Sequence, residues 1–173
     1  NLQNIDSIKN IKTEIEKNNK IWCAVSTHPG EEIFCAEVHK LLKKSHKNVK
    51  TIIIPRHISR VNKILISLNK MGLKTQIKNE NDNINDDAEI IIINYYGSVL
   101  KYYEKFKQIF IGKSLIKKFK NDGGQNPIDA ARAGCFIYHG PYVSNFKEIY
   151  DYLDSQKMSN NIDDKNILAE KLI

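Results

Sequence analysis

Several short stretches of this chain hold residues suited to gripping an anion or moving a proton, and each lies at the end of an apolar run. Ser26-Thr27-His28-Pro29-Gly30-Glu31-Glu32 gathers two hydroxyls, an imidazole and two carboxylates. Thr27 or Ser26 is placed to cap a following helix, Pro29 suits its first turn, and Glu31 and Glu32 would lie at the positive end of its dipole. A well-capped helix start thus accounts for every residue except His28. Pro55-Arg56-His57, with Arg60 a helical turn later, concentrates fixed positive charge and an imidazole where an anionic group would arrive. Solvated arginines at a surface helix start are the competing explanation.

Four glycine-containing segments extend the pattern. Asn94-Tyr95-Tyr96-Gly97-Ser98 and Gly112-Lys113-Ser114 would let backbone approach a flat base or a phosphate closely, or simply turn. Gly123-Gly124-Gln125-Asn126-Pro127-Ile128-Asp129 delivers the chain to a helix start, with Asn126 as N-cap, Pro127 in the first turn and Asp129 one turn inside. A capped helix explains Asn126-Pro127 but not a glycine pair expected to be exposed, which favours contact with a phosphate and a ribose. Gly140-Pro141 followed by Ser144-Asn145-Phe146 reads as a tight turn into another capped helix.

Brief apolar strands alternating with amphipathic helices must position these segments. Strands are expected at 21–26, 49–54, 73–78, 89–94, 108–111 and 135–138. Helices are expected at 29–44, 59–71, 99–105 and 127–133, followed by two closing helices, the first from Asn145. The first of these should turn Ile33, Phe34, Val38, Leu41 and Leu42 inward. Ile5, Ile8, Ile11 and Ile15 add a short amphipathic connector helix within residues 1–19. The fold class is therefore α/β: a Rossmann-like parallel six-stranded sheet with helices on both faces, since parallel neighbours need crossover helices. The Asn- and Asp-rich stretch 79–87 reads as a solvated loop. In such sheets ligands bind beyond the carboxyl ends of the strands, where the segments above fall.

The 173 residues suit one domain or one lobe, and 41% apolar with 27% charged residues excludes wholesale disorder. A net charge of +7 favours anionic partners without choosing among them. Part of that charge fits a coding bias toward Asn, Ile and Lys. No recognition-helix pattern or aromatic RNA-binding signature accompanies the charge, so a nucleic-acid or membrane-surface module is the weaker alternative. Cys23, Cys35 and Cys135 are widely spaced without CxxC, suggesting neither disulfides nor zinc; no metal and no cofactor is expected. Cys35 and Trp22 read as core. No apolar run approaches the ~18 residues that cross a bilayer. The chain begins at Asn1 with no leader pattern, which reads as a piece of a longer protein.

Taken in order, Ser-Thr-His-Pro-Gly-Glu-Glu at 26–32, Pro-Arg-His-x-x-Arg at 55–60, Gly-Gly-x-Asn-Pro-x-Asp at 123–129 and Gly-Pro-x-x-x-Asn-Phe at 140–146 resemble the C-terminal domain of 3-deoxy-D-manno-octulosonic acid (Kdo) transferases. The match covers roughly residues 20–155, with 156–173 left as a C-terminal helical extension. The resemblance implies the C-terminal, nucleotide-sugar-binding half of a GT-B glycosyltransferase with CMP-Kdo as donor and lipid A precursor as acceptor. It also implies lipopolysaccharide assembly at the cytoplasmic face of the bacterial inner membrane. Carried over by position, Pro55-Arg56, Tyr96-Gly97-Ser98 and Asn126-Pro127-Ile128-Asp129 would meet CMP. Ser26, Thr27, His28, His57, Gly123 and Gly124 would line the donor site, with Arg60 near the sugar carboxylate or behind the contacting residues. The resemblance assigns the base to an N-terminal acceptor domain outside this chain, so no catalytic residue is expected here. Three positions depart from the family pattern: Ser98 for Glu, Lys113 for Gly and Asp129 for Glu. Another GT-B enzyme using a UDP-sugar is the main competing reading.

Overall fold

The structure, a computed structural model, describes residues 20–97 and 99–172. The expected connector helix and Ser98 lie outside the described residues. Among the described residues, seven strands form one fully parallel sheet in the order β3-β4-β2-β1-β5-β6-β7. In chain order the elements are β1 (Ile21–Thr27), α1 (Glu31–Ser45), β2 (Lys50–Pro55), α2 (Val61–Lys70), β3 (Thr75–Lys78) and β4 (Ile90–Ile93). They continue with α3 (Val99–Tyr103), β5 (Gln108–Ile111), α4 (Ile128–Arg132), β6 (Phe136–His139), α5 (Lys147–Ser155), β7 (Ser159–Asn161) and α6 (Lys165–Lys171).

The seventh strand corrects the six-stranded expectation. It lies inside the stretch 156–173 read as purely helical, and its sequence, Ser-Asn-Asn, carries no apolar signal. Its place comes from backbone pairing with β6 alone, in register Ile137↔Ser159 to His139↔Asn161.

Alternate strand residues feed two separate cores, as buried parallel strands require. Trp22, Ala24, Ile53, Ile90, Ile92 and Phe110 pack against α1, α2 and α6. Cys23, Val25, Ile52, Ile91, Ile93 and Ile111 pack on the other face with Tyr102, Tyr103, Ala130 and Tyr150. Cys35 and Trp22 are core residues, as expected. Ile33 is not: it is 38% exposed, and Cys35, Ala36, Val38, His39 and Leu42 form the inward stripe of α1. The 79–87 loop is largely exposed, yet it is folded around buried ammonium groups. Lys78 Nζ donates to the carbonyls of Asn79, Glu80 and Asp82 at 3.1, 3.3 and 2.7 Å. Lys50 Nζ donates to those of Asn85, Asp86 and Ala88 at 3.1, 3.0 and 2.9 Å. Among the described residues no helix is long and apolar enough to cross a membrane.

Candidate functional site

Because every strand runs the same way, the exits of β1, β2, β4, β5 and β6 share one rim. The order reverses between β1 and β5, where the chain works outward to one side before crossing to the other.

At that reversal the loops are bound to each other through Glu31. Its carboxylate, 0% exposed, accepts the backbone N–H of His28 (2.8 Å), Lys113 (2.8 Å), Ser114 (2.9 Å) and Leu115 (3.0 Å). Burial pushes its carboxyl up from the ordinary range, while the four donors pull it the other way. Gly112 is required here: a Cβ would lie 2.6 Å from Glu31 Oε2, 2.6 Å from Ser26 O and 2.7 Å from Thr27 Cα. The N–H groups after β5, which the sequence offers to a phosphate, therefore already hold an internal anion.

Glu32 makes a second tie. Its carboxylate accepts Thr27 Oγ1 at 2.9 Å and grips the guanidinium of Arg60 at both oxygens, at 2.8 and 3.0 Å. Arg60 is thus committed to the support of the rim. Neither Ser26 nor Thr27 caps α1, which starts without a side-chain cap. Ser26 takes a left-handed φ of 55° at the irregularity where β1 leaves register with β2, and Thr27 is spent on Glu32. Both glutamates lie in the first turn of α1, as expected, and are in addition buried struts.

His28, 8% exposed, directs Nδ1 at the Ser26 carbonyl at 3.1 Å. A carbonyl only accepts, so this bond puts the proton on Nδ1 and leaves Nε2 as the acceptor. Burial holds its pKa below the usual histidine value; the Ser26 bond opposes this, and the charges of His57, Lys113 and Arg60 reinforce it. Its ring meets Phe119 edge-on at 5.2 Å and His57 at 5.9 Å. Arg56 N–H donates to Thr27 O at 3.1 Å, which brings Pro55-Arg56-His57 against the first loop. Arg56 and His57 are exposed.

Gly123 and Gly124 are buried, which corrects the expectation of an exposed pair. A Cβ on Gly123 would collide with the Tyr142 carbonyl, so the glycine lets two chain segments cross. Gly124 N–H donates to Lys113 O at 2.6 Å, and Asn145 N–H to Gly123 O at 2.9 Å. The pair thus ties the exits of β5 and β6 together, and Ser114 Oγ does the same by accepting Gly140 N–H at 2.8 Å.

The remaining candidates stand open. α4 starts at Ile128 with Pro127, not the expected Asn126, as its N-cap; Asn126, one residue earlier, accepts Ile128 N–H at Oδ1 at 3.0 Å, and Asn126 and Asp129 are exposed. Tyr150 OH, donating to Gln125 O at 2.9 Å, anchors the approach to them. Tyr96 is 69% exposed and, with Gly97, leaves β4 at the strand beside β2. Tyr95 OH and Tyr102 OH, 3.0 Å apart, fix that loop to α3, which packs beside α4. Pro127 is buried and Ile128 half-buried, so their backbone shapes the turn. Among the described residues no group of three or more His, Cys, Asp or Glu could hold a metal ion. An exposed guanidinium, an amide and a carboxylate on one rim suit a phosphate and a polyol better than bond-breaking by this chain alone.

Comparisons with known proteins agree with this architecture. No protein-family model matches the chain. It is similar to the 3-deoxy-D-manno-octulosonic acid transferase of Haemophilus influenzae, 28% identical over 152 residues, or 88% of this chain and 34% of that protein. The probable mitochondrial 3-deoxy-D-manno-octulosonic acid transferase of Arabidopsis thaliana is 30% identical over 145 residues, 83% of this chain and 32% of the relative. The chain therefore spans about a third of the length of these relatives. The crystal structure of the C-terminal CMP-Kdo binding domain of WaaA from Acinetobacter baumannii matches with a TM-score of 0.83, covering 99% of this chain and 87% of that one. At 18% identity it shares the fold.

Proposed function

We propose that this chain, a homologue of the Kdo transferases over about a third of their length, is the donor-binding lobe of an inverting glycosyltransferase that moves Kdo from CMP-Kdo to a lipid A precursor. The observation that carries the reading is the open side of the rim. Arg56, Asn126 and Asp129 are exposed there while the adjacent N–H groups are filled by Glu31.

Arg56 would neutralise the phosphate of the departing CMP from one side and the turn at Asn126 from the other. The Asp129 carboxylate would accept ribose hydroxyls, Tyr96-Gly97 would flank the base, and His28 and His57 would orient the sugar. The acceptor hydroxyl would attack the anomeric carbon, a carboxylate of the N-terminal acceptor domain would take its proton, and CMP would leave. Glu31 is unsuited to that task, since both its oxygens are held by backbone N–H groups. In this arrangement residues 20–155 form the donor lobe and 156–173 its C-terminal extension. The whole enzyme would work at the cytoplasmic face of the inner membrane.

Thermal melting tests the donor. At about 100 times its Kd, CMP should raise the melting temperature by about 5 °C or more, and UDP at matched concentration should not. The reverse order would replace the Kdo reading with a UDP-sugar one. Closure of two lobes must assemble the reaction site, so residues 1–173 alone should show no acceptor-dependent release of CMP. Release by this chain would contradict the division of labour.

A further inference from the structure

We infer that Lys113 is an anion-binding residue of the donor site, its ammonium exchanging Asp122 for a phosphate or carboxylate oxygen of the bound donor. This rests on the donor-binding reading above. Lys113 has φ 57°, a left-handed conformation that side chains disfavour. The backbone demands it, because the Lys113 N–H donates to Glu31 Oε2 at 2.8 Å while its carbonyl accepts Gly124 N–H at 2.6 Å. Glycine would make the same two bonds without strain, so backbone geometry does not account for the lysine. Strain retained beside a candidate site points to a use for the side chain.

That side chain is directed at the rim. Its Nζ lies 3.2 Å from Asp122 Oδ2 and 5.8 Å from the centroid of the Phe119 ring, which in turn meets His28 at 5.2 Å. The pair is unevenly exposed, 19% for Lys113 against 65% for Asp122. A carboxylate so open to water holds its partner weakly and can turn away. A phosphate or sugar carboxylate arriving beside Arg56 and His57 would be the stronger partner for a compact ammonium.

Calorimetric titration of the wild-type chain, Lys113→Gly and Asp122→Asn, with CMP and with freshly prepared CMP-Kdo, tests the assignment, alongside melting of each variant. Lys113→Gly should melt no lower than wild type and bind about tenfold more weakly. Asp122→Asn should bind about two- to threefold more tightly, a sign that a merely structural lysine would not give. Weakening toward both ligands identifies the phosphate as the contact, and weakening toward CMP-Kdo alone identifies the sugar carboxylate. If Lys113→Gly binds both like wild type, the inference falls and the donor reading stands. If wild type binds neither, the donor reading falls and takes this inference with it. A Lys113→Gly chain that melts well below wild type, or an Asp122→Asn chain that binds more weakly, also overturns it.

Discussion

Where β1 and β5 leave the sheet, charge is turned inward: Glu31 takes four backbone N–H groups and Glu32 takes Thr27 and Arg60. Beside them, at the exits of β2 and β4 and at the start of α4, Arg56, Tyr96, Asn126 and Asp129 face solvent. The contrast teaches that one rim can be divided between support and contact. Internal anions tie together the half at the strand reversal, and the other half is left open to solvent. Substitutions of the internal anions should therefore fail in stability, and those of the exposed groups in affinity.

The largest effect belongs to the supporting side. Glu31→Ala strips the acceptor from four N–H groups and should lower unfolding free energy by about 4 kcal/mol in urea titrations; a loss below about 1 kcal/mol would erase the distinction. Acid should act away from the rim, toward the opposite edge of the sheet, through His39 of α1, whose Nδ1 lies 2.9 Å from Thr51 Oγ1 at the start of β2. Burial holds the His39 pKa down from 6.5 to about 4, with Glu89 opposing and Lys43 reinforcing the shift. Its stabilising contribution is complete above about pH 6.5 and is lost as pH falls toward about 4, because the unfolded chain takes up the proton first. The cost should reach about 3 kcal/mol. His39→Gln should flatten that part of the pH–stability curve, and an unchanged slope would count against it.

On the contact side, Arg56→Ala should weaken CMP binding by about 2 kcal/mol with no change in the urea midpoint. Equal affinity would remove Arg56 from the site. Asp129→Asn should cost CMP binding about 1 kcal/mol and leave cytidine-free phosphate binding untouched, which separates a ribose contact from general electrostatics.

The sheet was legible because buried parallel strands are continuous apolar runs, as Ile90–Ile93 shows. β7 was not, since Ser159-Asn160-Asn161 joins through its backbone. The loops that carry the open side were also legible, because Arg56 and Asn126-Pro127 announce themselves by type and position. The supporting side was hidden by distance along the chain. Glu31 finds three of its four partners 82 to 84 residues away, so periodicity and capping rules placed it in the first turn of α1 without revealing what it holds. Gly123 misled for the same reason: the Tyr142 carbonyl that excludes a side chain belongs to a different loop. Lys113 stood out only as a departure from a family pattern, and its left-handed backbone needed coordinates to be seen.

Chemical-shift mapping of the 15N-labelled chain during titration with CMP tests the division most directly. Saturable shifts should gather at Arg56, Gly97, Asn126 and Asp129, with small changes at Lys43 and Glu89 on the opposite edge of the sheet. Shifts centred on that opposite edge, or none at saturating CMP, would contradict a rim divided between internal support and donor contact.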